Sequence, residues 1–120
     1  MSQDENNFIN ITDFVKVQLR VGTVLDATGV EGSEKLIKLT IDLGEEKTRT
    51  VLTGMRKWYE PDFFVGKQVI IVANLEPRPM MGLVSEGMIV ACDSLDPTDP
   101  ANKPTLLQPA TKVPNGSKIR

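Results

Sequence analysis

The side chains best suited to chemistry lie in one stretch, residues 74–91, which reads N-L-E-P-R-P-M-M-G-L-V-S-E-G-M-I-V-A. This stretch sets an Asn, an Arg and a Ser beside Met side chains, among Pro and Gly residues that favour turns. The whole chain contains no His and one Cys, so the side chains that most often transfer protons or attack substrates are scarce. The pattern is typical of a binding surface and not of a reaction centre.

Arg78 is the most informative residue of the stretch. Pro77 and Pro79 fix φ and remove two backbone donors, and a Pro disfavours helical backbone at the residue before it. We therefore expect Arg78 to be extended, with a projecting guanidinium that could fork onto a phosphate or stack on a base. An ordinary loop whose charged side chain merely faces water fits the same residues equally well.

Two apolar runs, residues 69–73 and 88–92, enclose this segment. Continuous apolar runs of strand length predict central strands that are buried on both sides, so the segment between them should connect strands at the edge of the core. Gly82 permits a turn with positive φ, and Gly87 permits close approach of another backbone or ligand. Cys92 lies inside the second run, where we expect a small core residue and not a reactive thiol.

The remaining segments predict mostly strands with short helical pieces. Thr12 or Asp13 can cap a short helix, after which residues 20–30 read as a first strand. Residues 37–43 alternate apolar and polar side chains, which predicts a strand with one wet face, and residues 47–53 are its expected hairpin partner. Residues 55–64 have a loosely helical spacing that Pro61 interrupts. Three strands, a helical linker and two more strands is the order of an OB-fold, although periodicity alone permits several small barrels.

The motifs of the chain, taken in order, resemble those of the tRNA-binding domain family. This family includes a stand-alone dimeric protein, the C-terminal part of many bacterial methionyl-tRNA synthetases, and the endothelial monocyte-activating polypeptide. Between residues 11 and 93 the similar motifs are D-F-V-K-V-Q-L-R-V-G from Asp13, E-G-S-E-K-L from Glu31, V-L-T-G from Val51, K-W-Y from Lys57, and N-L-E-P-R through S-E-G-M from Asn74. Each motif is weak alone, but five in series are specific. The resemblance implies an all-β fold, namely a five-stranded Greek-key OB-fold barrel with short helices.

The resemblance also implies which residues contact tRNA: Lys35, Asn74, Arg78, Ser85 and Met88. Asn74 and Ser85 could equally satisfy a buried turn, and Met residues are more often core than contact. Trp58 and Tyr59 could stack on bases, but we favour their packing against the barrel. Many relatives read K-P-R-K-L-M-G where this chain has Glu76-Pro77-Arg78-Pro79, so two phosphate-seeking charges are missing from the loop.

We expect three segments: a flexible tail over residues 1–10, the OB-fold tRNA-binding domain over residues 11–93, and a C-terminal extension over residues 94–120 that builds a homodimer interface. The extension is rich in Pro, and a partly ordered tail is the alternative. The net charge is −2, whereas nucleic-acid binders are usually basic, so we expect weak and strongly salt-sensitive binding. No apolar run reaches the roughly 18 residues that span a membrane, and no signal peptide is recognisable, which favours the cytoplasm.

Three classes of function follow from these observations. The leading one is a structure-specific tRNA-binding module that assists aminoacylation, linked in cis or in trans to methionyl-tRNA synthetase. The alternative is a dimeric protein-binding chaperone of the CsaA type, for which an exposed Met80-Met81 pair would provide adaptable apolar contacts. An enzyme comes third, because no acid/base pair, nucleophile triad, metal cluster or cofactor motif can be assembled from the sequence.

Overall fold

The computed structural model describes residues 7–96, 98–99 and 102–120. Most of the predicted flexible tail, residues 1–6, lies outside this part of the chain. In this part of the chain the elements are one α-helix, α1 (Ile11–Phe14), a 3-10 helix (Pro61–Phe63), and nine strands: β1 (Leu19–Gly29), β2 (Ile37–Asp42), β3 (Arg49–Thr53), β4 (Gln68–Val72), β5 (Arg78–Met80), β6 (Leu83–Ser85), β7 (Met88–Ile89), β8 (Ala91–Cys92) and β9 (Thr105–Leu106). No helix within the described residues is long and apolar enough to cross a membrane.

Five antiparallel strands in the order β3-β2-β1-β4-β7 form a nearly closed barrel. β2 shows the alternation that its sequence predicts, with buried Ile37, Leu39 and Ile41 and half-buried residues between them. The buried side chains of the barrel strands meet Phe64 and Met55 in one core. The structure therefore confirms the predicted all-β fold with an OB-fold-like barrel and little helix.

The seam between β3 and the segment that joins β6 to β7 is closed by side chains as well as by backbone. The buried Ser85 hydroxyl accepts from the Leu52 amide at 3.0 Å and donates to the Gly87 carbonyl at 2.9 Å. Glu86 repeats the pattern one residue later, because its carboxylate accepts from the Thr50 amide at 3.0 Å while its own amide donates to the Thr50 carbonyl at 2.7 Å. Two consecutive side chains thus provide acceptors that a regular strand would provide from its backbone.

Gly87 has no room for a side chain at this seam. Its φ is +154°, and an added Cβ would lie 2.9 Å from Ile71 Cγ2 and 3.2 Å from the Val72 carbonyl oxygen. The close approach expected from the sequence is therefore an approach of β4 backbone, and not of a ligand.

The last residues of the chain return along the barrel as a strap, residues 105–119. β9 pairs with β8, and the Gln68 side chain bonds both the carbonyl and the amide of Val113. Further on, the Gly116 amide donates to the Val21 carbonyl at 2.7 Å, and the Ile119 amide donates to the Leu19 carbonyl at 2.9 Å. The strap therefore pairs with residues 19–21 of β1 on the edge opposite β4, a stretch that β2 does not cover.

Three local predictions were wrong. The helix N-cap is Asn10, two residues before the expected Thr12 and three before Asp13, because the Asn10 side chain already accepts from the Asp13 amide at 2.9 Å. Residues 55–64 form only a 3-10 turn, and their aromatic side chains are placed by packing instead of by helical periodicity. The predicted strand at 88–92 is broken into β7 and β8, whose side chains alternate, so Met88 and Cys92 are exposed.

We expect Ser85→Ala to lower the free energy of unfolding by about 1 to 3 kcal/mol, because the Leu52 amide and the Gly87 carbonyl would lose their buried partner. Urea unfolding followed by circular dichroism measures the change. Thr48→Val is the matched control, since it removes a hydroxyl from an exposed position before β3. If Ser85→Ala is no more destabilising than this control, the hydroxyl does not close the seam.

Candidate nucleic-acid interface

Arg78 projects from a small hairpin that stands beside the barrel. β5 pairs with β6 in a register that sets Arg78 opposite Ser85 and Met80 opposite Leu83. The two loop residues, Met81 and Gly82, have φ of 51° and 78°, the combination of a two-residue hairpin turn that matches strand twist. The expected extended backbone at Arg78 is confirmed, and its side chain is exposed.

An open groove of about 510 Å³ runs between this hairpin, the end of β3 and the start of the C-terminal segment. Its lining combines one guanidinium, one indole, three thioethers, one carboxylate and one carboxamide with other polar, apolar and backbone surface. These side chains belong to Arg78, Trp58, Met55, Met80, Met88, Asp93 and Asn102. The groove therefore brings together two of the five predicted contact residues, Arg78 and Met88.

Lys35 lies on the loop between β1 and β2, directly before Leu36, which lines the same groove. Arg56 holds this loop, because its Nη1 donates to the carbonyls of Val30 at 3.0 Å and Ser33 at 2.6 Å, and its own amide donates to the Lys35 carbonyl at 3.1 Å. Lys35 is thus exposed on a loop with a fixed backbone, one residue away from the groove lining.

The Asn74 side chain holds the N-terminal segment through two hydrogen bonds to its backbone. Its Oδ1 accepts from the Gln18 amide at 2.8 Å, and its Nδ2 donates to the Lys16 carbonyl at 2.6 Å. Although the residue is exposed, both polar atoms bond the backbone that leads into β1. Asn74 is not among the residues that line the groove.

Ser85 and Met88, which come from the same short motif, differ in their surroundings. Ser85 is 2% exposed and both of its hydrogen bonds lie within the seam. Met88 is 44% exposed and lines the groove. The motif therefore combines a residue that closes the barrel with one that faces the groove.

Trp58 and Tyr59 also point to different places. Tyr59 stacks on Phe63 at 4.2 Å between ring centroids and donates to the Pro104 carbonyl, so it packs as expected. Trp58 is half-buried and lines the groove, with Lys57 Nζ 5.8 Å from its ring. Sequence reasoning missed this difference, and it also missed Arg56 as the support of the Lys35 loop. The only available signal was the adjacency of Arg56, Lys57 and Trp58 after the glycine that ends β3.

The strongest charge pair described in the chain lies next to the seam. Arg49 donates from Nε and Nη2 to the two Glu45 carboxylate oxygens, both at 2.8 Å, and its Nη1 reaches the carbonyls of Ala73 and Glu86. The hydrogen bond from Arg49 lowers the pKa of the Glu45 carboxyl and raises the pKa of Arg49. Arg49 therefore ties β3 to the end of β4, just before the hairpin that carries Arg78.

The chain is similar in sequence and structure to proteins of one known family. Residues 19–118 match the model of the family described as "Putative tRNA binding domain". The methionine–tRNA ligase of Deinococcus radiodurans is 44% identical over 115 residues, which are 96% of this chain but 16% of that protein. The chain thus spans about a sixth of the length of the curated relatives that it matches.

Two solved structures cover nearly the whole chain. The MetRS-related protein of Pyrococcus horikoshii has a TM-score of 0.85 and 32% identity, and covers 95% of this chain and 99% of its own. The CsaA chaperone of Bacillus anthracis has a TM-score of 0.79 and 32% identity, and covers 94% of this chain and 99% of its own. The strap is therefore included in the part of the chain that these structures share.

We expect the protein to lose stability in acid through Glu45. Because the folded-state pKa of Glu45 lies below its ordinary value of 4.5, the ion pair adds stability above that value, which is lost as pH falls through the folded-state pKa. The melting temperature should therefore fall as the pH is lowered below about 4.5, and fall less steeply in Glu45→Gln. Glu46→Gln, which removes the neighbouring carboxylate of the same turn, is the control and should keep the wild-type slope. Equal slopes in all three proteins would contradict the assignment.

Proposed function

The chain belongs to the tRNA-binding domain family, and from this premise we propose that it is a non-catalytic module that binds folded tRNA and assists methionyl-tRNA synthetase in the cytoplasm. The names of the relatives, which are methionine–tRNA ligases and a MetRS-related protein, support the synthetase as the partner. The module would act in cis if it is part of the synthetase and in trans if it is separate.

The observation that carries this proposal is the position of Arg78. Its guanidinium is exposed on a hairpin whose two-residue turn and seam contacts fix the backbone, so little conformational entropy is lost when it meets a phosphate. Arg is suited to phosphate because its planar fork donates two parallel hydrogen bonds.

We assign direct contacts with tRNA to Arg78, Lys35 and Met88, and supporting roles to Asn74 and Ser85. Lys35 supplies a second cation on the loop next to the groove. Asn74 and Ser85 act through the backbone that they hold, since their polar atoms bond the N-terminal segment and the seam. The acid and the Pro at positions 76 and 79 leave the hairpin with one cation, which supports weak and salt-sensitive binding.

A protein partner is the second candidate function, favoured by the tip of the hairpin. Met81 and Val84 are exposed there at 56% and 49%, and flexible thioethers adapt to varied apolar partners. The likeness to the CsaA chaperone supports the same possibility. The hairpin would then offer its tip to protein while Arg78 lies at its base.

Arg78→Ala should weaken binding of folded tRNA by about 1 to 3 kcal/mol, because a charge-assisted contact is lost, and should reduce the dependence of affinity on salt. Arg78→Lys should recover the salt dependence but not the full affinity, because a point charge replaces the fork. Fluorescence anisotropy of labelled tRNA at several salt concentrations measures both quantities.

Lys112→Ala is the control for loss of one positive charge, since Lys112 is exposed on the strap and does not line the Arg78 groove. An unstructured oligonucleotide of the same length tests the preference for folded RNA. If the wild-type protein binds both RNAs equally, or binds neither at tens of micromolar, tRNA is not its ligand and a protein partner becomes the better proposal. If Arg78→Ala lowers the melting temperature by many degrees while binding is normal, Arg78 is structural.

We further propose that the protein is a homodimer. The N-terminal segment exposes a series of large apolar side chains around α1, with Phe8, Ile9, Ile11 and Val15 each at least 60% exposed. Apolar surface of this kind is costly in water and is characteristic of an interface. The strap of the C-terminal extension lies along the barrel of its own chain, and the described part of the extension exposes the large apolar residues Leu95 and Leu107. The extension remains the expected interface if the N-terminal segment does not form one.

The double variant Ile11→Asp/Val15→Asp should sediment as a monomer where the wild-type protein sediments as a dimer, because two charges would be buried at the interface. Sedimentation velocity at tens of micromolar distinguishes the two states. Leu25→Asp is the control at an exposed apolar position of β1, outside both segments. A monomer formed by Leu107→Asp but not by the N-terminal variant would assign the interface to the strap, and a monomeric wild-type protein would exclude both.

A further inference from the structure

Trp58 and Arg78 approach the same groove from different elements. Trp58 lies in the turn after β3, where its amide donates to the Met55 carbonyl at 3.0 Å, so its backbone is fixed. Arg78 opens β5 on the other wall. A flat aromatic ring and a guanidinium therefore line the same groove. The neighbouring Tyr59 does not line it, because its ring packs on Phe63 and Phe64.

The composition of the groove matches one nucleotide. Its volume of about 510 Å³ falls in the range of sites for small organic ligands, about 300 to 1,000 Å³. Met80 and Met88 add polarizable thioethers, which make favourable contacts with aromatic rings. Asp93 and Asn102 add a carboxylate and a carboxamide, the groups that recognise the hydrogen-bonding edge of a base.

We infer that this groove takes one unpaired nucleotide of the bound RNA, with its base against the Trp58 ring and its phosphate on Arg78. The inference rests on the proposed function and deepens it: folded RNA would be recognised through a base that it leaves unstacked as well as through its shape. RNA-binding proteins commonly read unpaired bases by stacking them on aromatic rings or on Arg.

The distribution of charge favours a nucleotide over an apolar peptide. An apolar peptide side chain would use Trp58 and the thioethers but would leave Arg78 without an anionic partner. A nucleotide uses both parts of the groove at once. Lys57, whose Nζ lies over the Trp58 ring at 5.8 Å from its centroid, adds a second positive charge near this ring, which favours a phosphate-bearing ligand.

The single Trp of the chain gives this inference a direct readout. Intrinsic fluorescence of the wild-type protein should be quenched when folded tRNA saturates it, because a base stacks on the indole. A blunt RNA duplex without unpaired nucleotides, bound to saturation at low salt, should leave the emission nearly unchanged. Equal quenching by both RNAs would overturn the inference.

Substitution of Trp58 provides the second measurement. Trp58→Leu keeps an apolar side chain without a ring and should weaken tRNA binding roughly five- to 150-fold, as expected for the loss of a stacked base. Trp58→Phe should recover most of the affinity. Anisotropy of labelled tRNA reports binding, and melting curves confirm that both variants fold. Phe63→Leu is the control, because it removes an exposed aromatic ring outside the groove.

Failure of this inference can be told apart from failure of the proposed function. Suppose that tRNA binds with an affinity that depends on Arg78, but does not quench Trp58 fluorescence and binds Trp58→Leu as tightly as wild type. The proposed tRNA binding is then supported and the nucleotide site is wrong. If an apolar peptide quenches Trp58 and tRNA does not bind at all, both are wrong and the groove is a peptide site.

Discussion

The fold depends on how the barrel is closed between β3 and the segment that follows the hairpin. The Ser85 hydroxyl and the Glu86 carboxylate accept from two amides of β3, and Arg49 bonds the carbonyls on the far side of the same junction. Buried amides that lose their acceptors are costly, so these side chains must keep their positions. Because Ser85 is also the cross-strand partner of Arg78, the closure of the barrel sets the position of the exposed guanidinium.

This arrangement divides the S-E-G-M motif into two kinds of residue. Ser85, Glu86 and Gly87 satisfy the seam and the close approach of β4, whereas Met88 faces the groove. Three of the four positions are therefore explained by the stability of the barrel. The motif identifies the fold more directly than it identifies a ligand, and the chemical character of the groove comes from Arg78, Trp58 and the thioethers of Met80 and Met88.

The first half of the barrel could be predicted because its information is local. The alternation in β2 sets one face inward, and the two Pro residues around Arg78 restrict only their neighbours. The second apolar run was predicted wrongly, since β7 and β8 end where they do through pairing with distant β4 and β9. The roles of Ser85 and Asn74 also depend on partners 33 and 56 residues away. Likewise, the sequence does not distinguish the neighbouring aromatic residues Trp58 and Tyr59. Their different environments, Tyr59 against Phe63 and Trp58 in the groove, result from tertiary packing.

The strap has a consequence for how the protein acquires its structure. Ile119 bonds Leu19, and Arg20 bridges to Lys118, so the first strand of the barrel is completed by residues made about a hundred positions later. Contacts between residues so far apart in sequence slow folding, because a long loop must close before they form. Until the strap has been synthesised and has docked, residues 19–21 of β1 keep an unpaired edge, and an unpaired edge can pair with another chain. The strap is thus a late step in folding that also shields the nascent barrel from aggregation.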